Sequence, residues 1–139
     1  MNAMEPRRHG DTEKTFYYEE ESTRKIIGCA IEVHRILGPG LLESVYEECL
    51  CRELHIQGFT IERQRPIPLT YKGTQLECVY RRDIVVNGRI VVELKCVEKI
   101  MPIHEAQLLT YLKLSNIKVG LIINFNISVL KDGIKRLVF

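Results

Sequence analysis

An α/β fold, with a mixed central sheet and helices on its faces, is what this chain predicts from three observations. Two segments of helical apolar period come first, followed by three strand-like runs. A helix opened by Pro102 then separates two apolar runs, 90–96 and 119–125, and such a connection implies a right-handed crossover between parallel strands. Finally, 139 residues, 45% of them apolar and 27% charged, can bury one respectable core and no more.

Taken in order, residues 1–14 are polar, hold Pro6, Arg7, Arg8 and Gly10, and read as a disordered arm ahead of a single domain over 15–139. From 22 to 37 the apolar residues Ile26, Ile27, Ala30, Val33 and Leu37 recur at helical spacing, and Gly38-Pro39-Gly40 ends that helix. A second helix is expected over 41–57, stopped by Gly58. Strands are expected over 59–69, broken by Pro66 and Pro68, over 75–86 after a Tyr71-Lys72-Gly73 turn, and over 90–96. Pro102 opens a third helix to about 114, residues 119–125 form a compact apolar strand, and 134–138 adds a further strand.

The formal net charge of +2 carries no polycationic signature of nucleic-acid binding. Local charge is less neutral. Arg63, Arg65, Lys72, Arg81, Arg82 and Arg89 fall in or beside the central strands, where they either line a phosphate track or protect solvated strand edges. Five cysteines, Cys29, Cys49, Cys51, Cys78 and Cys96, form no CxxC pair, which argues against a disulfide framework or a zinc ribbon. Most of them read as small buried hydrophobes in a reducing compartment. No stretch approaches the roughly 20 apolar residues of a membrane span, and the N-terminus lacks the apolar core of a signal peptide, so a cytoplasmic protein is expected.

The chemistry concentrates in Asp83-Ile84-Val85-Val86-Asn87-Gly88-Arg89-Ile90-Val91-Val92-Glu93-Leu94-Lys95. Two carboxylates and an ammonium on a short hairpin are what holding a divalent cation and activating a water against a phosphodiester require. Glu93 and Lys95 interrupt a run of Val, Ile and Leu, where charge is costly unless paired or metal-bound. A surface hairpin with an ordinary salt bridge is the plain alternative. Parity bears on the choice. A strict two-residue Asn87-Gly88 turn puts Asp83 and Glu93 on opposite faces. A three-residue connection, or a bulge near Gly88, sets Asp83 opposite Glu93 and Ile84 opposite Val92. One face then carries Ile84, Val86, Ile90, Val92 and Leu94, and the other gathers Asp83, Val85, Val91, Glu93 and Lys95. Only this second register yields a clean core face, and it places Gly88 at positive φ.

Two further clusters belong with the hairpin. Glu43, Tyr46 and Glu47 share one side of the second helix at i, i+3 and i+4, although an acid in a first helical turn also serves as a dipole and capping device. On the third helix His104, Gln107 and Tyr111 form a polar stripe opposite Leu108, Leu109 and Leu112, suited to holding a phosphate or a lysine, or to an interhelical hydrogen bond.

Glu43, Asp83, Glu93-x-Lys95 and Gln107-x-x-x-Tyr111, in this order on these elements, resemble the PD-(D/E)xK nuclease superfamily and its subset with a Gln-x-x-x-Tyr helix. More narrowly, Gly40-x-x-Glu43-x-x-Tyr46 after His34-x-x-x-Gly38-Pro39-Gly40 looks like the small GxxExxY family. The resemblance spans about 20–138, and Arg82 stands where the family's proline would precede Asp83. It implies a three-layer αβα restriction-endonuclease-like fold and an Mg²⁺- or Mn²⁺-dependent nuclease centre. Asp83 and Glu93 would be metal ligands with the Leu94 carbonyl, and Glu43 would reach the metal directly or through water. Lys95 would act on the attacking water and the transition state. Gln107 and Tyr111 would orient Lys95 or a phosphate, with His104 and His34 behind them, while Arg63, Arg65, His104 and Tyr46 are the candidate substrate contacts. The partner expected is nucleic acid, DNA ahead of RNA, and a homodimer would cut both strands most simply. A non-catalytic adaptor that keeps the fold is the alternative, with a small-molecule phosphoesterase a more distant one.

Overall fold

The computed structural model describes residues 19–139, without the side chains of Pro68 and residues 77–82. The arm expected over 1–14 and the Cys78, Arg81 and Arg82 side chains lie outside what is described. The element order is α1 (Glu20–Leu37), α2 (Glu43–Ile56), β1 (Ile61–Tyr71), β2 (Thr74–Val86), β3 (Ile90–Lys95), α3 (Pro102–Ser115), β4 (Val119–Asn124), a short 3-10 turn (Leu130–Gly133) and β5 (Ile134–Val138). The five strands pair in sequence order, β1-β2-β3-β4-β5. All neighbours run antiparallel except β3 and β4, which are parallel from Ile90↔Val119 to Lys95↔Asn124. The helix between them, α3, is thus the crossover that the sequence implies.

Strand parity sorts the core into two layers. Ile84, Val86, Ile90, Val92 and Leu94 point with Val119, Leu121, Ile123 and Phe125 into one cluster, closed by Ile26, Ala30 and Val33 of α1 and by Tyr46, Leu50 and Leu54 of α2. Val85, Val91 and Ile122 face the other way, against Leu108, Tyr111 and Leu112 of α3. The fold is therefore the expected three-layer αβα arrangement. A Cβ on Gly120 would lie 2.9 Å from a Leu108 methyl, so the bare backbone there is what lets α3 seat closely on β4.

Two expectations change. β1 is not broken by its prolines but runs through both, and it can do so because it is an edge strand, where a missing N–H costs no ladder bond on the solvent side. Its pairing with β2 slips only between Ile67 and Leu69, around Pro68. The second helix starts at Glu43 rather than at 41. Leu42 stays extended, and the Leu41 N–H donates to the Tyr46 hydroxyl at 3.2 Å instead of joining the helix.

The hairpin takes the parity-favoured register, with Ile84↔Val92, Val85↔Val91 and Val86↔Ile90 across a three-residue connection. Asn87 and Gly88 both sit at positive φ (53° and 67°), the Arg89 N–H returns to the Val86 carbonyl at 2.9 Å, and Arg89 is the extra residue that shifts the ladder. Asn87 also accepts the Thr60 N–H at 2.9 Å, which anchors the turn to the start of β1. No atom would crowd a Cβ on Gly88, so a substitution there costs backbone conformation rather than space. Gly88→Val is expected to destabilise the fold by about 1 kcal/mol or more, and Gly88→Ala by less. Chemical denaturation of the two variants checks this, and equal, negligible effects would contradict it.

Candidate active site

Three elements bring four charged side chains to one end of the hairpin. One step beyond the Ile84↔Val92 pair, Asp83 of β2 comes opposite Glu93 of β3. The Asp83 Oδ2 accepts the Leu94 N–H at 2.8 Å, and Glu93 Oε2 meets Lys95 Nζ at 3.4 Å. Glu43, the first residue of α2, feels the charges of Asp83, Lys95 and Glu93. Burial, then the Glu93 charge, pushes the Asp83 carboxyl above its ordinary range, against the pull of the Leu94 hydrogen bond. Glu43 is raised likewise, by desolvation first and by the Asp83 charge second, with Lys95 opposing. Glu93 is nearly enclosed, at 8% exposure.

The local sequence explains how Glu43 arrives there. Gly38 and Gly40 adopt positive φ, turning the chain from α1 into α2. The Tyr46 hydroxyl donates to the Gly38 carbonyl while accepting from Leu41, and its ring stacks on Phe125 at 4.5 Å and 13°. Tyr46 is fully buried, so in place of the expected substrate contact it ties the glycine turn that presents Glu43. Asn124, in register with Lys95, performs a similar service: its Oδ1 accepts the N–H groups of Val97 and Asn126, and its Nδ2 donates to the Val97 carbonyl. Its signal in the sequence is a lone amide closing an otherwise apolar strand.

The expected polar stripe on α3 is corrected. Tyr111 is fully buried among Leu108 and Leu112, and Leu109, placed opposite the stripe, is 38% exposed. Gln107 is exposed. His104 caps α3, its Nδ1 accepting the Met101 N–H at 2.9 Å, and the His34 Nε2–H donates to the Ile127 carbonyl at 2.8 Å, pinning α1 to the segment after β4. Arg63 pairs with both Glu47 (3.0 Å) and Glu48 (2.9 Å), which hold its guanidinium firmly charged, and Arg65 pairs with Glu62 at 3.4 Å on the surface. Gln64, which sequence reading passed over, touches Asp83 and Glu47. The four described cysteines are free thiols, and burial pushes Cys51 up to about 11.

Among the described residues no three His, Cys, Asp or Glu side chains already stand as a metal cage. The donor set nevertheless fits a hard divalent cation: three carboxylates converge from two layers, and two of them are raised, first by desolvation and then by their neighbours' charges. In extended β3 the Leu94 carbonyl leaves by the same edge as its N–H, toward Asp83. A group whose folded value lies above its unfolded one stabilises fully at pH below the unfolded value and loses that contribution as pH rises through the folded one. Metal-free protein is therefore expected to lose stability upward from about pH 4, the ordinary carboxylate value. Asp83→Asn should flatten that fall. Thermal melts in chelator across this range check it, and an unchanged slope in the variant would contradict it.

Among the described residues no helix is long and apolar enough to cross a membrane. The family model described as PD-(D/E)XK nuclease superfamily matches residues 20–137. No curated protein and no solved structure matches the chain.

Proposed function

Because the chain belongs to the PD-(D/E)XK nuclease superfamily, matched from residue 20 to 137, we propose that it is a divalent-metal-dependent nuclease, acting on DNA ahead of RNA. The observation that carries this reading is the gathering of half-buried Asp83, buried Glu93 and Lys95 at one end of the hairpin, with the exposed Glu43 of α2 within reach of their charges, an arrangement that a structural hairpin has no reason to make. Within the superfamily we place the chain in the GxxExxY group, on Gly40, Glu43 and Tyr46.

Asp83, Glu93, the Leu94 carbonyl and Glu43 would hold Mg²⁺ or Mn²⁺, which supplies Lewis acidity and charge neutralisation at the scissile phosphate. Lys95, held at Glu93, orients the attacking water and compensates the charge that develops as the bond to the leaving oxygen breaks. Arg65, partly exposed, and Gln107, exposed, are the candidates for contact with the substrate backbone, whereas Tyr111 is fully buried in the core. A homodimer would cut both strands of a duplex most simply.

The test is incubation with supercoiled plasmid, circular single-stranded DNA and RNA, each with Mg²⁺, with Mn²⁺ and with EDTA. Metal-dependent, EDTA-sensitive cleavage of DNA is expected. Binding without cleavage under every condition would favour the adaptor and overturn the proposal.

A further inference from the structure

Gln64 occupies the one position of β1 where a non-glycine residue adopts left-handed backbone, at φ 53°, among the described residues of that strand's interior. It falls between the pairs Arg63↔Ile84 and Arg65↔Arg82, the place in the ladder that faces Asp83. A glutamine is not a residue that chooses this conformation, and local strain of this kind persists only where the surroundings over-determine it. What surrounds it is a chain of contacts. Arg63 Nε holds Glu47 Oε2 at 3.0 Å, and the Gln64 amide nitrogen reaches Glu47 Oε1 and Asp83 Oδ1, both at 3.4 Å. The Asp83 Oδ2 in turn accepts from Leu94 at 2.8 Å. Glu47 is itself nearly buried, at 8% exposure.

Resting on the metal-dependent reading above, we infer that Gln64 is a positioning residue that sets the Asp83 carboxylate for metal binding by linking it to the Arg63-anchored Glu47 of α2. The chemistry of the amide is what suits it. A lysine or arginine here would pair with the two carboxylates and compete with an incoming cation. A leucine would leave Asp83 and Glu47 facing each other with no donor between them. The amide donates to both acids while adding no charge, so Asp83 is oriented without a cation placed beside it. The long 3.4 Å contacts leave the Oδ1 lone pairs open to a stronger partner. With this backbone the exposed Gln64 side chain reaches Glu47 of α2 and Asp83 of β2 together.

Gln64→Gly and Gln64→Lys separate this role from a merely structural one. Glycine relieves the backbone and deletes the amide, so metal-free melting should stay at or above the wild-type temperature. The Mn²⁺ concentration that half-saturates the melting shift should rise about fivefold or more, and kcat should fall at saturating Mn²⁺ with little change in KM for DNA. Lysine should raise the metal-free melting temperature and weaken Mn²⁺ further. If both variants keep the wild-type Mn²⁺ midpoint, whatever their stability, the positioning role is wrong. If wild type itself shows no Mn²⁺ shift, the metal reading falls and takes this inference with it.

Discussion

Lys95→Ala is expected to lower phosphodiester cleavage by a factor on the order of 100 or more, while the Mn²⁺-induced rise in melting temperature survives. The ammonium sits 3.4 Å from Glu93 Oε2 and is only 20% exposed, close enough to the acids to act on a water among them. In the proposed reaction it would contribute a charge to the attacking water and the transition state, not an oxygen to the cation, so kcat should fall with metal affinity nearly intact. Removing it also leaves Glu93 beside Asp83 with one fewer compensating charge, so the attraction for Mn²⁺ should not weaken. Single-turnover rates and thermal melts on the same preparation separate the two quantities. Loss of both together would assign Lys95 a structural role.

Asp83→Asn is expected to abolish the stabilisation by divalent metal. For wild type that stabilisation should reach about 1.4 to 2.7 kcal/mol as metal rises from about 10 to about 100 times Kd, by mass action on the folded state. The amide oxygen of asparagine can still accept the Leu94 N–H, so the tie between β2 and β3 persists. What disappears is the charge that repels Glu93 and Glu43, both of which bear on this end of the hairpin. Metal-free stability should accordingly hold or rise while activity is lost. Melts with and without Mn²⁺ decide it, and a variant that still responds like wild type would remove Asp83 from the ligand set.

Much of this architecture was legible because it obeys short-range rules. The hairpin register follows from parity: only one pairing puts Ile84, Val92 and Leu94 on one face, and that face is where the core lies. The crossover follows from a helix lying between two apolar runs, and the parallel β3–β4 ladder bears it out. What escaped depends on which ends meet in space. Tyr46 looked like a site residue because it follows Glu43 at i+3, yet its partners are the Gly38 carbonyl and Phe125, the latter far along the chain. The faces of α3 could not be read from its period because apolar residues surround it almost evenly. Period alone therefore sets Tyr111 on the polar side and Leu109 toward the core, the reverse of their burial. Gln64 carried no signal at all, since its importance lies in a left-handed backbone and in contacts with Glu47 and Asp83 that no local pattern announces.

The central claim is that Asp83, Glu93 and Lys95 form a metal-dependent phosphodiesterase centre, and one measurement bears on it most directly. Supercoiled plasmid is incubated with Mn²⁺ and wild-type protein or Lys95→Ala, with EDTA added to a parallel set. Nicking by wild type that EDTA stops, and that Lys95→Ala loses at equal Mn²⁺ occupancy, is the predicted result. Intact plasmid with wild type, or nicking that persists in EDTA or in Lys95→Ala, would contradict it.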